Sequence, residues 1–202
     1  MISVLSGRAR EPNKDDWRKL KRLIDYIKET AHMYLVPCLD EEVPIAKRYV
    51  DASFAVHGVF GSHAGGLLKF DNGGGAAIVV SSKQKSNARS STEAELIGCD
   101  NVLAKILWCQ KLLHGQGMYV AKSTLYQDNK STILLENKGT SSVGKRMRRT
   151  DIGFFFVEDR ADRGDLEIKF CPTKDTSADY FTKTLRGKLF LEFGNGISGQ
   201  KW

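Results

Sequence analysis

Arg48-Tyr49-Val50-Asp51-Ala52-Ser53 is the stretch on which the reading of this chain turns. Its alternation places Tyr49 and Asp51 on one face of an extended segment and Val50 on the other. An aspartate inside a strand is locally disfavoured, so Asp51 asks for a chemical reason. Three more acidic residues sit in distinctive settings: Glu95 in SSTEAEL, Asp128 in LYQDNKS and Asp179 in TSADYFTK. Asp51 and Asp128 close apolar runs that read as strands, whereas Glu95 and Asp179 fall in the first turns of predicted helices. Carboxylates placed so can converge at one end of a sheet. With no Cys or His among them they suit hard divalent cations, two Mg²⁺ ions or Mn²⁺ in their place. Two such ions clamping a phosphodiester are a standard route to hydrolysis, so the expected chemistry is metal-dependent cleavage of a nucleic-acid strand.

Outward from Asp51 the pattern is first β and then mixed. Residues 48–56 predict one strand, GGLLKF (65–70) a second and AAIVVSSK (76–83) a third. The run Asp71-Asn72-Gly73-Gly74-Gly75 supplies the positive φ of a tight turn. Without a G-x4-GK[ST] pattern, these glycines are turn chemistry and not a phosphate loop. A long helix is predicted from Ser91 to His114, capped by Ser90 or Ser91, with Trp108 as a packing residue. Then come a strand over 123–128, a short helix over 130–137 that Asn129 can cap, a linker over 138–149 and a helix over 150–160. LEIKF (166–170) alternates Leu166, Ile168 and Phe170 inward against Glu167 and Lys169, and a last helix starts near Thr176. The order β-β-β-α-β-α-α-β-α predicts an α/β domain, a mixed five-stranded sheet with helices packed on it. Ahead of it, residues 13–30 form an amphipathic helix capped by Asn13, with Trp17, Leu20, Ile24 and Ile27 on one face. The MYLVPCLDEEVPIAK stretch follows as a short strand and a proline-bearing connector.

Composition narrows the partners. Lys and Arg outnumber Asp and Glu by 31 to 24, a formal charge of +7 reached despite the acidic set. The basic residues therefore lie elsewhere on the surface, and a polyanion is the natural partner. A 41% hydrophobic fraction with 27% charged residues describes a folded chain and not a disordered one. No apolar run approaches the roughly 18 residues that span a bilayer, so no membrane association is expected. Cys38, Cys99, Cys109 and Cys171 are scattered without a C-x2-C pair, which argues against a zinc site or a disulfide framework and for a reducing compartment.

YVDAS, SKQK followed by SSTEAEL, QDNKS, and CPT-x5-AD-x2-TK occur here in one order. Together, from about Arg48 to about Phe193, they resemble the C-terminal ribonuclease H domain of copia-type LTR-retrotransposon polyproteins. The resemblance implies a domain over 46–193, preceded over 1–45 by the tail of a reverse transcriptase (thumb or connection) and followed by a tail over 194–202. It further implies a ribonuclease H-like fold, an RNA–DNA hybrid as substrate and the reverse transcriptase portion of the same polyprotein as partner. The expected setting is cytoplasmic, in a virus-like particle, with the nucleus as a second location. Asp51, Glu95, Asp128 and Asp179 match the family's catalytic and metal-binding carboxylates, with Asp51 ligating both ions.

Each position has a rival. Glu93 lies two residues from Glu95 and so about 200° around a helix, where it can simply complement the helix N-terminus. The family's glutamate directly precedes an apolar residue, here Leu96, which favours Glu95. Asp175 could cap the helix that Asp179 begins, and Asp151 is a further acidic candidate in a segment where Arg149 and Thr150 depart from the family pattern. Two basic groups are expected to meet the hybrid. Lys83, Lys85, Asn87 and Arg89, with Gln84 and Ser86 between them, form a polar lip leading into the helix of Glu95. Lys145, Arg146, Arg148 and Arg149 form a second cluster suited to backbone phosphate. Two other functions compete: a non-catalytic nucleic-acid-binding module derived from a retrotransposon, and an integrase-like enzyme. The latter uses a D-D-E order ending in Glu, whereas the last acid here is Asp179.

Overall fold

A computed structural model describes residues 2–37, 45–57, 61–70, 74–130, 132–133, 157 and 159–200. Two compact units divide the chain, Met1–Tyr34 and Leu35–Trp202. In the first, α1 (Ile2–Gly7) precedes α2 (Lys14–Glu29). The expected cap of α2 is present as a full capping box: Asn13 Oδ1 accepts from Asp15 N and Asp16 N at 2.9 Å, and Asp16 Oδ2 accepts from Asn13 N at 3.0 Å. Arg8 fastens the preceding turn by donating to Asp16 at 2.8 Å. Trp17, Ile24 and Ile27 on the apolar face of α2 are exposed. Residues 33–36 form no strand; only an isolated bridge of Pro37 to Gly75 replaces the one expected there.

The second unit is built on the mixed five-stranded sheet that the order of strands predicts. Its strands are β1 (Ile45–His57), β2 (Gly61–Phe70), β3 (Ile78–Lys83), β4 (Ala121–Gln127) and β5 (Leu166–Phe170), arranged β3-β2-β1-β4-β5. Antiparallel pairing joins β1 to β2 and β2 to β3, while β1–β4 and β4–β5 are parallel. The parallel pairs require crossovers, and α3 (Ser91–Gly115) makes the first of them. Val50, Leu68, Val102, Leu103, Ile106 and Leu125 form the core between α3 and one face of the sheet. On the opposite face Leu67 and Tyr49 pack with Ala178, Phe181, Phe193 and Ile197, carried by α4 (Asp179–Thr182) with the residue before it and by α5 (Gly187–Ser198); a 3₁₀ turn, Thr173–Asp175, precedes them.

Two adjacent glycines let helices approach both faces at one point of β2. A Cβ on Gly65 would stand 2.6 Å from Thr182 Cγ2 on α4, and one on Gly66 would stand 2.4 Å from Val102 Cγ1 on α3. Because neighbouring strand residues point to opposite faces, the pair clears room on each side at once. The last helix begins as two pieces, a 3₁₀ turn and α4, where a single start near Thr176 was expected. Residues 194–198 belong to α5, which continues past the expected domain end at 193. There Val36 N donates to Ser198 O at 2.8 Å and Ala76 N to Ile197 O at 2.7 Å. Trp108, expected to pack, is 65% exposed on α3. Residues 71–73 of the expected turn, the linker over 138–149 and most of the helices expected over 130–137 and 150–160 lie outside the described residues; Asp151 does as well. Of the first of those helices, Lys130, Thr132 and Ile133 are helical, and Asn129 Oδ1 accepts from Thr132 N at 3.3 Å as its cap.

Candidate metal centre

Strand register brings the first two carboxylates together. The parallel pairing of β1 with β4 ends at Tyr49 opposite Tyr126, and two residues further along each chain stand Asp51 and Asp128. β4 stops at Gln127, so Asp51 lies past the end of the β1–β4 ladder. Asp51 pairs across β2 with Gly65, the residue on which α4 closes, and α4 starts with Asp179. Glu95 arrives from α3. Ser90 Oγ caps that helix by accepting from Glu93 N at 3.1 Å, and Glu93 Oε2 accepts from Arg89 N at 2.7 Å. Glu93 is thereby used at the helix end, while Glu95 turns inward and is 6% exposed.

Asp51, Glu95 and Asp128 each offer an oxygen, and the three oxygens lie within 4.8 Å of one another. Burial pushes the Glu95 carboxyl up to about 9, helped by the charges of Asp51 and Asp128. Its Oε2 is buried without a hydrogen-bond partner. An acidic oxygen left so is costly in a folded chain and is what a cation would satisfy. Asp51 is also raised by burial, against the hydrogen bond from Thr182 Oγ1 to its Oδ2 and the nearby Lys183 charge. Asp128 is steadied from the 3₁₀ turn, where Thr173 Oγ1 donates to its Oδ2 at 3.0 Å. The all-oxygen donor set fits a hard divalent cation such as Mg²⁺.

Asp179 stands differently. It is 4% exposed, and burial raises its carboxyl to about 6. Lys183 Nζ donates to Asp179 Oδ1 at 2.6 Å and lies 3.7 Å from Asp51 Oδ1. Burial alone would lower the Lys183 ammonium, but the hydrogen bond to Asp179 and the charge of Asp51 hold it above its ordinary value. Thr182 and Lys183 close the ADYFTK motif, and their contacts with Asp51 come from the packing of α4 and not from any local pattern. Gly65 does carry a local signal, the Gly-Gly pair inside a strand.

The lip before α3 is divided. Lys83, Lys85, Asn87 and Arg89 are exposed, as a binding edge needs. Gln84 is not part of it. It is 3% exposed and its Nε2 donates to Ala94 O at 2.7 Å, tying the lip to the first turns of α3. Lys145, Arg146, Arg148 and Arg149 lie outside the described residues.

No family model matches the chain. The retrovirus-related Pol polyprotein from transposon TNT 1-94 of Nicotiana tabacum is 28% identical over 189 residues, covering 94% of this chain and 14% of the polyprotein. That from transposon RE1 of Arabidopsis thaliana is 33% identical over 119 residues, 58% of this chain and 8% of the polyprotein. The chain thus spans a small fraction of the curated relatives that it matches. Among solved structures, the ribonuclease H1 LC11, isolated from compost by a metagenomic approach, superposes with a TM-score of 0.50 at 14% identity, over 67% of this chain and 91% of the other.

Proposed function

We propose, on the premise that this is a ribonuclease H fold with transposon Pol polyproteins as its homologues, that the chain hydrolyses the RNA strand of RNA–DNA hybrids. The observation that carries this reading is the cluster of buried Asp51 and Glu95 with half-buried Asp128, and its unpartnered Glu95 oxygen. Divalent ions bound there would lower the pKa of the attacking water and offset charge on the leaving 3′ oxygen, giving 3′-hydroxyl and 5′-phosphate products.

The chain's own groups divide the remaining work. Asp51 belongs to the cluster and also shares Lys183 with Asp179, so it is the carboxylate that two ions would share. Thr182 and Thr173 fix the orientations of Asp51 and Asp128, each with one hydroxyl. Lys83, Lys85, Asn87 and Arg89 lie on the segment that leads into α3, so they would meet phosphates and 2′-hydroxyls beside the Glu95 end of the cleft. Hybrid selectivity follows if one strand is sensed through 2′-hydroxyls and the other through a DNA-like backbone. The remaining cationic surface behind the +7 charge would hold the duplex by counterion release. The upstream reverse transcriptase of such a polyprotein is the proposed partner, in reverse transcription inside a cytoplasmic particle. Among the described residues no helix is long and apolar enough to cross a membrane.

The test is direct. Incubated in Mg²⁺ with end-labelled hybrid, duplex RNA and duplex DNA, the protein should cut only the RNA of the hybrid. Binding without cleavage would instead identify a nucleic-acid-binding module, and cutting of duplex DNA would point to integrase-like chemistry.

A further inference from the structure

Lys183 closes the ADYFTK motif beside two of the carboxylates, and the proposed chemistry does not use it. Its Nζ lies 2.6 Å from Asp179 Oδ1 and 3.7 Å from Asp51 Oδ1, so a single ammonium faces both carboxylates of that half of the cleft. The other half, Asp51 with Glu95 and Asp128, leaves Glu95 Oε2 without a partner. We propose that Lys183 is a resident counter-cation for Asp51 and Asp179: a first divalent ion binds among Asp51, Glu95 and Asp128, and a second enters only by displacing the Lys183 ammonium. The inference rests on the metal-dependent reading above and adds an order of occupancy to it.

The backbone holds Lys183 where this competition is unavoidable. Thr182 Oγ1 donates to Asp51 Oδ2, Ser53 Oγ donates to Thr182 O at 3.0 Å, and Lys183 N donates to Asp179 O at 2.9 Å. Bare Gly65 lets α4 settle this closely on β2, as its Cβ would fall 2.6 Å from Thr182 Cγ2. The root of Lys183 is therefore fixed beside the carboxylates. Its side chain is 38% exposed, which leaves the ammonium a way out to solvent. Mg²⁺ demands its oxygens at about 2.0–2.1 Å in an octahedral shell, a space that an ammonium on the same two carboxylates blocks. Charge acts in the same direction: each ion pair made by Lys183 must be given up before the second ion gains its ligands.

Mn²⁺ binding to the whole chain tests this, by calorimetry for affinity and by electron paramagnetic resonance for the number of bound ions. Wild type should fill one site well before the other. In Lys183→Met the second site should tighten by about tenfold, the size expected for losing the partly buried pairs with Asp179 and Asp51. The first site should move far less. Lys183→Arg keeps the cation and should retain the wild-type gap between the sites. Lys174→Met removes the same charge from the neighbouring 3₁₀ turn and should change neither site. An unchanged or weaker second site in Lys183→Met overturns the proposal, as does wild type filling both sites with equal affinity. If neither protein binds an ion, the metal-dependent reading falls with it. Far-UV circular dichroism and melting in EDTA check the fold of Lys183→Met; should it fail to fold, Lys183→Gln takes its place under the same criteria.

Discussion

Glu95 and Asp179 are both buried carboxylates beside Asp51, yet one keeps an oxygen without a partner and the other is met by Lys183 at 2.6 Å. Their settings also part their protonation: burial with two acidic neighbours takes Glu95 to about 9, whereas the ammonium restrains Asp179 to about 6. The difference teaches that four acidic residues in one cleft need not be equivalent ligands. One carboxylate keeps a buried oxygen without a partner, and the other is met by the Lys183 ammonium.

The largest effect is expected at the residue common to both sides. Asp51→Asn should abolish Mg²⁺-dependent cleavage of hybrid RNA and leave hybrid affinity within a few-fold, because affinity comes from phosphate contacts and not from the carboxylate. Product formation and binding are measured separately; retained cleavage would remove Asp51 from the site.

Glu95→Gln should cost several orders of magnitude in rate at an unchanged fold, and Glu93→Gln little beyond the charge that complements the helix end. Single-turnover rates rank the two. The reverse order would move the site by two residues and would break the contrast between Glu95 and Asp179.

Gly65→Ala sharpens the comparison from the backbone side. The added Cβ would meet Thr182, Phe181 and Ala178 O at 2.6–3.1 Å, so α4 has to shift. The expected loss is about 1–3 kcal/mol, which for a chain of this size lowers Tm by several degrees. Thermal melts read the stability. Activity should fall more than stability explains, since Asp179 and Lys183 move with α4.

The smallest effect is a pH dependence without metal. Glu95 in the folded chain holds its proton to about 9 against an ordinary 4.5. Its contribution is full below the unfolded value and is lost as pH rises towards the folded one, because the unfolded state releases the proton first. Asp179 has already titrated at about 6. In EDTA, Tm should therefore fall by a few degrees between about pH 6.5 and about pH 9. Glu95→Gln should flatten that fall; an equally steep slope in the variant would assign the proton to another group.

Much of the architecture was legible from local pattern. The LEIKF alternation sets β5 at 166–170 and turns Leu166 and Ile168 to the core, although Phe170, expected inward with them, is 46% exposed; the Asn13 and Ser90 caps mark the starts of α2 and α3. Such features depend on neighbours a few residues away. Gln84 shows where that fails, since a polar residue in a basic run reads as surface until Ala94 O is found beside its amide. Trp108 fails in the opposite sense, an apolar side chain that α3 turns to solvent.

For this protein the sequence by itself determined the order of strands and helices and which carboxylates could gather at the end of β1 and β4. Only the tertiary structure decided that Glu95 is left with an unpartnered oxygen and that Asp179 is not. The pairs responsible are distant in the chain: Thr182 reaches Asp51 across 131 positions, and Thr173 reaches Asp128 across 45. Burial and charge partnership are properties of that packing. They arise when bare Gly65 lets α4 close on the sheet, and no local periodicity encodes them.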